Sequence, residues 1–284
     1  MPGPSPTISR SAWRRRDQRQ QGETPPQHRV VVEQGQRGDE GRAPSAEAQR
    51  KPPRDFPIKQ PERTGTICAM NPQVASVNVG RVLQASWAGR PQQTAIDKPS
   101  VAGPVRVHRL GLEGDGVGDP RFHGGTHQAV YAYAQEDLDR WERELGRPVR
   151  PGLFGEDLTT TGIDLNETVL GERWRVGSTL LQPIETRTPC NTFTTWMGRQ
   201  GFDATSWVKR FTRMGRPGVY FRVLEEGEVQ AGDQIVVEHR PEHGVTVATM
   251  FAAYMTDPSL LPELLVVEGL AERTYAAAQR RRDR

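Results

Sequence analysis

Cysteine is scarce in this chain. Its 284 residues contain only two, Cys68 and Cys190, which excludes an all-cysteine iron–sulfur cluster, since that needs four thiolates. A disulfide between them is not expected either. They lie in segments of different character, and a reducing, cytoplasmic setting accounts for two free thiols more simply. Long apolar runs are also missing: no stretch approaches 18 consecutive apolar residues, so no membrane-spanning helix and no membrane partner are expected. The arginine cluster "S-A-W-R-R-R-D-Q-R" at 11–19 is not followed by an apolar segment, so it does not read as a twin-arginine export signal.

Residues 1–69 are short of aromatics, with Trp13 and Phe56 alone, while ten of the chain's 23 prolines fall there. Without sustained apolar periodicity this tail is expected to be disordered. It carries 13 Lys and Arg against 8 Asp and Glu, a charge of +5, whereas the whole chain is +3, so residues 70–284 carry −2. The basic excess belongs to the tail. No basic stripe interleaved with aromatics follows it, and no nucleic-acid partner is expected. Met70 opens the first segment with strand-like alternation and is expected to be the true initiator, residues 1–69 being a mis-assigned extension.

From residue 74 onward, short β-branched runs alternate with Gly, Pro and Asp, the pattern of a barrel-like β domain. "V-A-S-V-N-V", "G-P-V-R-V-H-R-L" and "A-V-Y-A-Y" read as strands. The last runs into a helix on which Leu138, Trp141 and Leu145 share one face and Gly146 caps the end. "G-E-R-W-R-V-G-S-T-L-L-Q-P-I-E" and "G-V-Y-F-R-V-L-E-E-G-E-V-Q-A-G-D-Q-I-V-V-E-H" each read as a strand pair joined by Gly-containing turns. Beyond residue 240 the spacing becomes helical: three short helices, with Thr246 and Asp257 as N-caps and Pro258 in a first turn. The expected organisation is a tail over 1–69, a β-barrel over 70–240 and a small three-helix domain over 241–284.

Chemistry-bearing residues gather in three places. "L-E-G-D-G-V-G-D-P-R-F-H-G-G-T-H-Q", residues 112–128, holds five glycines with Arg121, His123 and His127. Glycines let successive amides converge on an anion, so this loop is either a binding nest or a plain connector. His123 and His127 have zinc-ligand spacing only if the segment is helical, which Gly124-Gly125 disfavours. "P-G-L-F-G-E-D-L-T-T-T-G-I-D" at 151–164 reads as a tight loop feeding a strand, either a site or a plain turn. In "E-T-R-T-P-C-N-T-F", Arg187 lies close enough to Cys190 to favour a thiolate, a soft metal ligand; a buried structural thiol is the alternative.

The order of "S-V-N-V-G", "G-P-V-R-V-H-R-L-G-L-E-G-D", "R-F-H-G-G", "A-V-Y-A-Y", "F-G-E-D-L", "G-E-R-W-R-V-G-S" and "R-T-P-C" resembles the MOSC domain, the module named for the C-terminal region of molybdenum cofactor sulfurase. The branch it resembles is the YiiM-type, reductases of N-hydroxylated bases such as 6-hydroxylaminopurine, in which a three-helix domain follows the barrel. The resemblance spans roughly residues 74–240, and "H-G-V-T-V-A" onward is similar to the helical domain. It implies a mainly β fold, a MOSC-type β-barrel with packed helices. It implies a molybdenum cofactor (molybdenum-pterin) with Cys190 as metal ligand and catalytic residue and His123 as a further catalytic residue. Lys98, Arg121, Gly124, Gly125, Phe154, Glu156 and Arg187 are then assigned to the cofactor. At family level the resemblance also carries pyridoxal phosphate binding. The usual Pro-Arg-x-Pro-Cys segment here has Thr186 for its first proline, which loosens the backbone but keeps the arginine and the cysteine.

The implied function is reduction of an N-hydroxylated small molecule, with electrons from a separate flavoprotein or ferredoxin-type donor. His123, Glu113, Asp115 and Glu156 stand as candidate proton donors by their place in the loops. A non-catalytic carrier of molybdenum cofactor, or of sulfur as a Cys190 persulfide, is the rival reading. A zinc hydrolase built on the two histidines is a second rival, and a homodimer remains an open alternative for the assembly.

Overall fold

The computed structural model describes residues 71–89 and 92–284. The expected disordered tail, Met70 and Cys68 lie outside the described residues. Chain order begins with β1 (Gln73–Asn78) and the two-residue strands β2 (Leu83–Gln84), β3 (Gln93–Thr94) and β4 (Ser100–Val101). Next come β5 (Val105–His108), β6 (Gly111–Leu112), β7 (Val130–Ala134), α1 (Gln135–Leu145) and β8 (Leu158–Thr161). The hairpin β9 (Arg173–Val176) and β10 (Thr179–Thr186) leads into α2 (Asn191–Arg199) and α3 (Trp207–Met214). After β11 (Val219–Glu225), β12 (Gly227–Val229) and β13 (Ile235–His239), α4 (Val247–Met255), a 3-10 helix over Pro258–Val266 and α5 (Glu272–Arg282) end the chain.

Eight strands form one sheet in the order β13-β9-β10-β11-β7-β8-β1-β4. The sheet curls until its ends meet: Val74 N–H donates to the Asp233 carbonyl at 2.9 Å, and Gln73 bridges Gln234. The mainly β barrel is thus as expected, and β9 and β10 pair as the expected hairpin around Gly177. The second expected strand pair is corrected. β11 pairs with β10 and β7, β12 with β5, and β13 with β9. Its strands exist, but curling the sheet hands each to a distant neighbour, and the turn residues between them do not set that pairing.

Period-two alternation divides the interior. Along β7, Val130, Ala132 and Ala134 point into the barrel core, while Tyr131 and Tyr133 point outward into a second, aromatic core. That outer core takes Leu138 and Trp141 from α1, Phe193 and Trp196 from α2, and Trp207 and Phe211 from α3. Phe154 sits in its middle, with ring centroids 5.1 Å from Phe193 and 5.1 Å from Tyr133. Gly146 caps α1 at φ 66°, as the sequence indicates. The C-terminal helices add Val247, Met250 and Leu264 to the barrel core. Thr246 caps α4 through Thr249 N–H, whereas the Asp257-Pro258 segment winds as 3-10 with Pro262 inside it, Pro262 having no N–H to continue an α ladder. Among the described residues no helix is long and apolar enough to cross a membrane.

Close backbone approach at Gly152 fixes the loop after α1 against the strand region near Lys98. A Cβ there would lie 1.7 Å from the Lys98 carbonyl oxygen, and its φ is +74°. Gly152→Ala is therefore expected to cost upward of roughly 3 kcal/mol, because it adds a backbone clash to a left-handed conformation. Urea denaturation of the full-length protein checks this through a lowered midpoint with an unchanged slope.

Candidate functional site

Four loops and the end of β10 enclose a cleft of about 730 Å³, within the range of about 300–1,000 Å³ usual for small-molecule sites. Its floor is aromatic: Tyr131 of β7 and Tyr220 of β11 are cross-strand partners with ring centroids 4.6 Å apart. At one side Lys98 is buried between two acids. Its Nζ lies 2.5 Å from Asp115 and 2.6 Å from Asp157. The second oxygen of each acid holds backbone, Asp115 accepting from Gly80 N–H and Asp157 from Tyr131 N–H. Burial alone would push the Lys98 ammonium down in pKa, but the two carboxylates outweigh it and hold the group above its usual value.

Cys190 is half-buried in the cleft wall as the N-cap of α2. Burial opposes ionisation of its thiol, yet the neighbouring His123 imidazole and the Arg187 guanidinium more than offset this, bringing its pKa from 9.0 down to about 7. Arg187 is buried, donates to the Phe154 carbonyl, and lies over the Phe193 and Tyr131 rings at 4.2 and 5.1 Å. Among the described residues no carboxylate forms an ion pair with this guanidinium, so its charge stays available to the sulfur.

Of the residues singled out from sequence, Lys98, His123, Gly124, Arg187 and Cys190 line the cleft together, with Asp115. The remaining ones sit elsewhere. Arg121 is held by Asp119 through two contacts of 2.8 Å and, like Gly125 and Glu113, is outside the lining. Phe154 has its side chain wholly within the aromatic core and contributes only its carbonyl, to Arg187. Glu156 is fully buried behind the wall, accepting from Gly152 N–H, Phe154 N–H and the Thr159 hydroxyl. It shapes the loop from behind. His127 Nε2 lies 3.0 Å from the Gly269 carbonyl, so the two histidines serve different neighbours.

Several lining residues escape a reading of local motifs. Asp157 stands inside a quoted motif, but its role as Lys98 partner depends on a contact 59 residues away. Tyr254 and Arg273 come from the C-terminal helices. Glu185 carried a usable signal: it is a charged residue inside a strand, directly after the core residue Ile184.

Two outcomes follow from this geometry. Alkylation of Cys190 by iodoacetamide, followed by peptide mass spectrometry, is expected to rise with pH to half its maximum near 7, because the thiolate is the nucleophile. His123→Ala moves that midpoint upward. Lys98→Met leaves Asp115 and Asp157 facing each other without a cation, costing roughly 3–5 kcal/mol in urea melts. Burial already holds the Asp157 carboxyl above its usual range, and without the ammonium it is harder still to ionise in the folded state, so the loss is smaller at pH 5 than at pH 8.

The MOSC domain description matches residues 119–236. The chain is 30% identical over 206 residues to Protein YiiM of Escherichia coli, an alignment covering 70% of this chain and 88% of that protein. It is 32% identical over 171 residues to a Gibberella moniliformis protein named Reductase, covering 58% of this chain and 29% of the longer relative. Among solved structures, YiiM from Geobacillus stearothermophilus superimposes with a TM-score of 0.61 at 26% identity, covering 74% of this chain and 98% of that one. With this fold, this cleft and these relatives, the chain belongs to the MOSC domain family as a YiiM-like member.

Proposed function

We propose that the chain is a molybdenum-cofactor-dependent reductase that removes the oxygen of N-hydroxylated bases or related N-hydroxylated compounds. The observation that carries this reading is the Cys190 thiol, brought to a pKa of about 7 in the wall of a cleft large enough for a cofactor and a substrate. A thiolate at the family's cysteine position is the soft donor that such a metal centre takes from protein. The cleft lining also includes Gln128, whose buried Oε1 has no hydrogen-bond partner, and a glycine at φ 77°, Gly124, where the backbone can approach a ligand. These features fit a polar, anionic cofactor.

When bound, the molybdenum cofactor supplies the two-electron chemistry of N–O reduction: hydroxylamine, two electrons and two protons give amine and water. Cys190 would be its protein ligand. Arg187, buried beside the sulfur, favours negative charge there, and the Tyr131–Tyr220 floor stacks a planar substrate. Of the candidate proton donors, His123 is the one that lines the cleft next to Cys190 without being committed to an ion pair in the way Asp115 is to Lys98. It is assigned to deliver a proton to the departing oxygen. Lys98 holds the wall by its two carboxylates, which leaves it a structural cation in this reading. Electrons come from a separate flavoprotein or ferredoxin-type donor. The Gibberella relative named Reductase supports a redox setting for such a module, since its matching region is 29% of a longer protein.

Molybdenum per polypeptide, measured by elemental mass spectrometry on protein from a host that makes the cofactor, tests the reading. Near-stoichiometric metal is expected, falling sharply in Cys190→Ala, together with reduction of 6-hydroxylaminopurine when a donor is supplied. Stoichiometric metal without turnover would favour the carrier alternative. Folded protein free of molybdenum in both forms would return Cys190 to a thiol of the cleft wall.

A further inference from the structure

One wall of the cleft carries a polar cluster to which the chemistry above gives no task. Glu185 is 3% exposed and lines the cleft. It gets there through a bulge in β10: Pro183 pairs with Phe221 and Glu185 with Tyr220, so two steps on β10 match one on β11. Ile184 is the extra residue and points into the barrel core. Without the bulge Glu185 would share the inward face of Pro183 and Phe221; with it, Glu185 shares the face of Tyr220 at the cleft floor.

The partners of this carboxylate leave it capacity. Thr186 N–H donates to it at 3.1 Å, and Tyr254 of α4 lies beside it. Arg273 of α5 stands 3.6 Å away, beyond hydrogen-bond length, with its side chain 66% exposed. An ionised carboxylate has about four lone-pair sites. Gln128 Oε1, buried and without a hydrogen-bond partner, belongs to a residue that lines the same cleft. Buried polar atoms of this kind are ordinarily satisfied by a ligand or water. Glu185 is five residues before Cys190, and five extended residues span at most about 17 Å. Both residues line the same cleft, so a ligand with its reacting end at Cys190 has Glu185 among the walls that enclose it.

We propose that Glu185 is the specificity-determining group of the cleft, its carboxylate accepting the two parallel N–H donors of a protonated amidine edge, H–N–C–N–H. This rests on the reading of the cleft as a site for N-hydroxylated compounds. Carboxylates recognise the amino groups of bases in this way. An amide or hydroxamate places a carbonyl oxygen where the protonated amidine has its second N–H donor, and meets Glu185 acceptor against acceptor there.

The test uses benzamidine, a cation at neutral pH with N–H donors on both nitrogens, and its neutral counterpart benzamide, on the full-length protein and needs no bound cofactor; Glu185→Gln separates the carboxylate's share from that of charge elsewhere in the cleft. Calorimetry is expected to show saturable benzamidine binding, with benzamide about tenfold or more weaker. Benzamidine should also slow alkylation of Cys190. Glu185→Gln should weaken benzamidine about ten- to a hundredfold, the loss of a charge-assisted hydrogen bond, and in molybdenum-loaded enzyme raise KM for an amidoxime with kcat retained. Equal affinities for the two probes overturn the assignment, as does a folded Glu185→Gln protein that keeps its benzamidine affinity; Glu185 is then a tie between β10 and the C-terminal helices. Should that variant not fold, the comparison of probes and the protection of Cys190 in the unaltered chain decide the matter. A chain that takes up no molybdenum in a cofactor-making host yet discriminates the probes would sink the reductase and keep the assignment, while a molybdenum-loaded reductase that binds both equally would do the reverse.

Discussion

A single buried ammonium holds the cleft open. Lys98 joins the loop after β6, through Asp115, to the loop before β8, through Asp157, and each acid uses its other oxygen to grip backbone, at Gly80 and Tyr131 respectively. Four chain segments distant in sequence meet at one positive charge. The arrangement is viable because both partners are at hydrogen-bond distance; a buried cation with one poor partner would lose its proton or draw in water. Gly152 presses against the carbonyl of the same lysine, so the side chain and the main chain of residue 98 fix opposite sides of one corner.

From that corner the alternation of β7 distributes the rest. Its inward residues complete the barrel, while Tyr131 and Tyr133 found the aromatic layer on which α1, α2 and α3 rest. Because α2 begins at Cys190, the position of the thiol is set by how Phe193 and Trp196 pack behind it. Arg187 links the two systems: its guanidinium lies between the Phe193 and Tyr131 rings and donates to the Phe154 carbonyl, so the group that favours the thiolate is itself fastened by the aromatic core. Electrostatics at the sulfur and packing beneath it are one design.

Much of this was legible in the residues. The β7–α1 junction showed itself because period two gives way to helical spacing at a buried Leu138 and Trp141 and ends at a glycine. Thr246 was recognisable as a cap. The helices α2 and α3 were not, because they are nine and eight residues long, rich in Thr and aromatics, and owe their shape to the outer core rather than to propensity. Trp207 and Phe211, four apart, were the available sign of α3. In the cleft, Cys190, Arg187 and His123 announced themselves by chemistry within short motifs. Asp157 and Tyr254 did not, since their meaning comes from partners brought near only by the closed barrel. Phe154 and Glu156 mark the converse: a motif can belong to the site's scaffold while facing away from it.

The bulge in β10 lets two successive side chains, Pro183 and Ile184, face the barrel core before the strand turns Glu185 outward. Taking the extra residue away would leave a regular ladder with Pro183 still opposite Phe221 and Glu185 still opposite Tyr220, so the barrel would lose an isoleucine while the carboxylate kept its face at the cleft. The added residue serves the packing of the core, and the chemistry of the cleft wall is buffered against its loss.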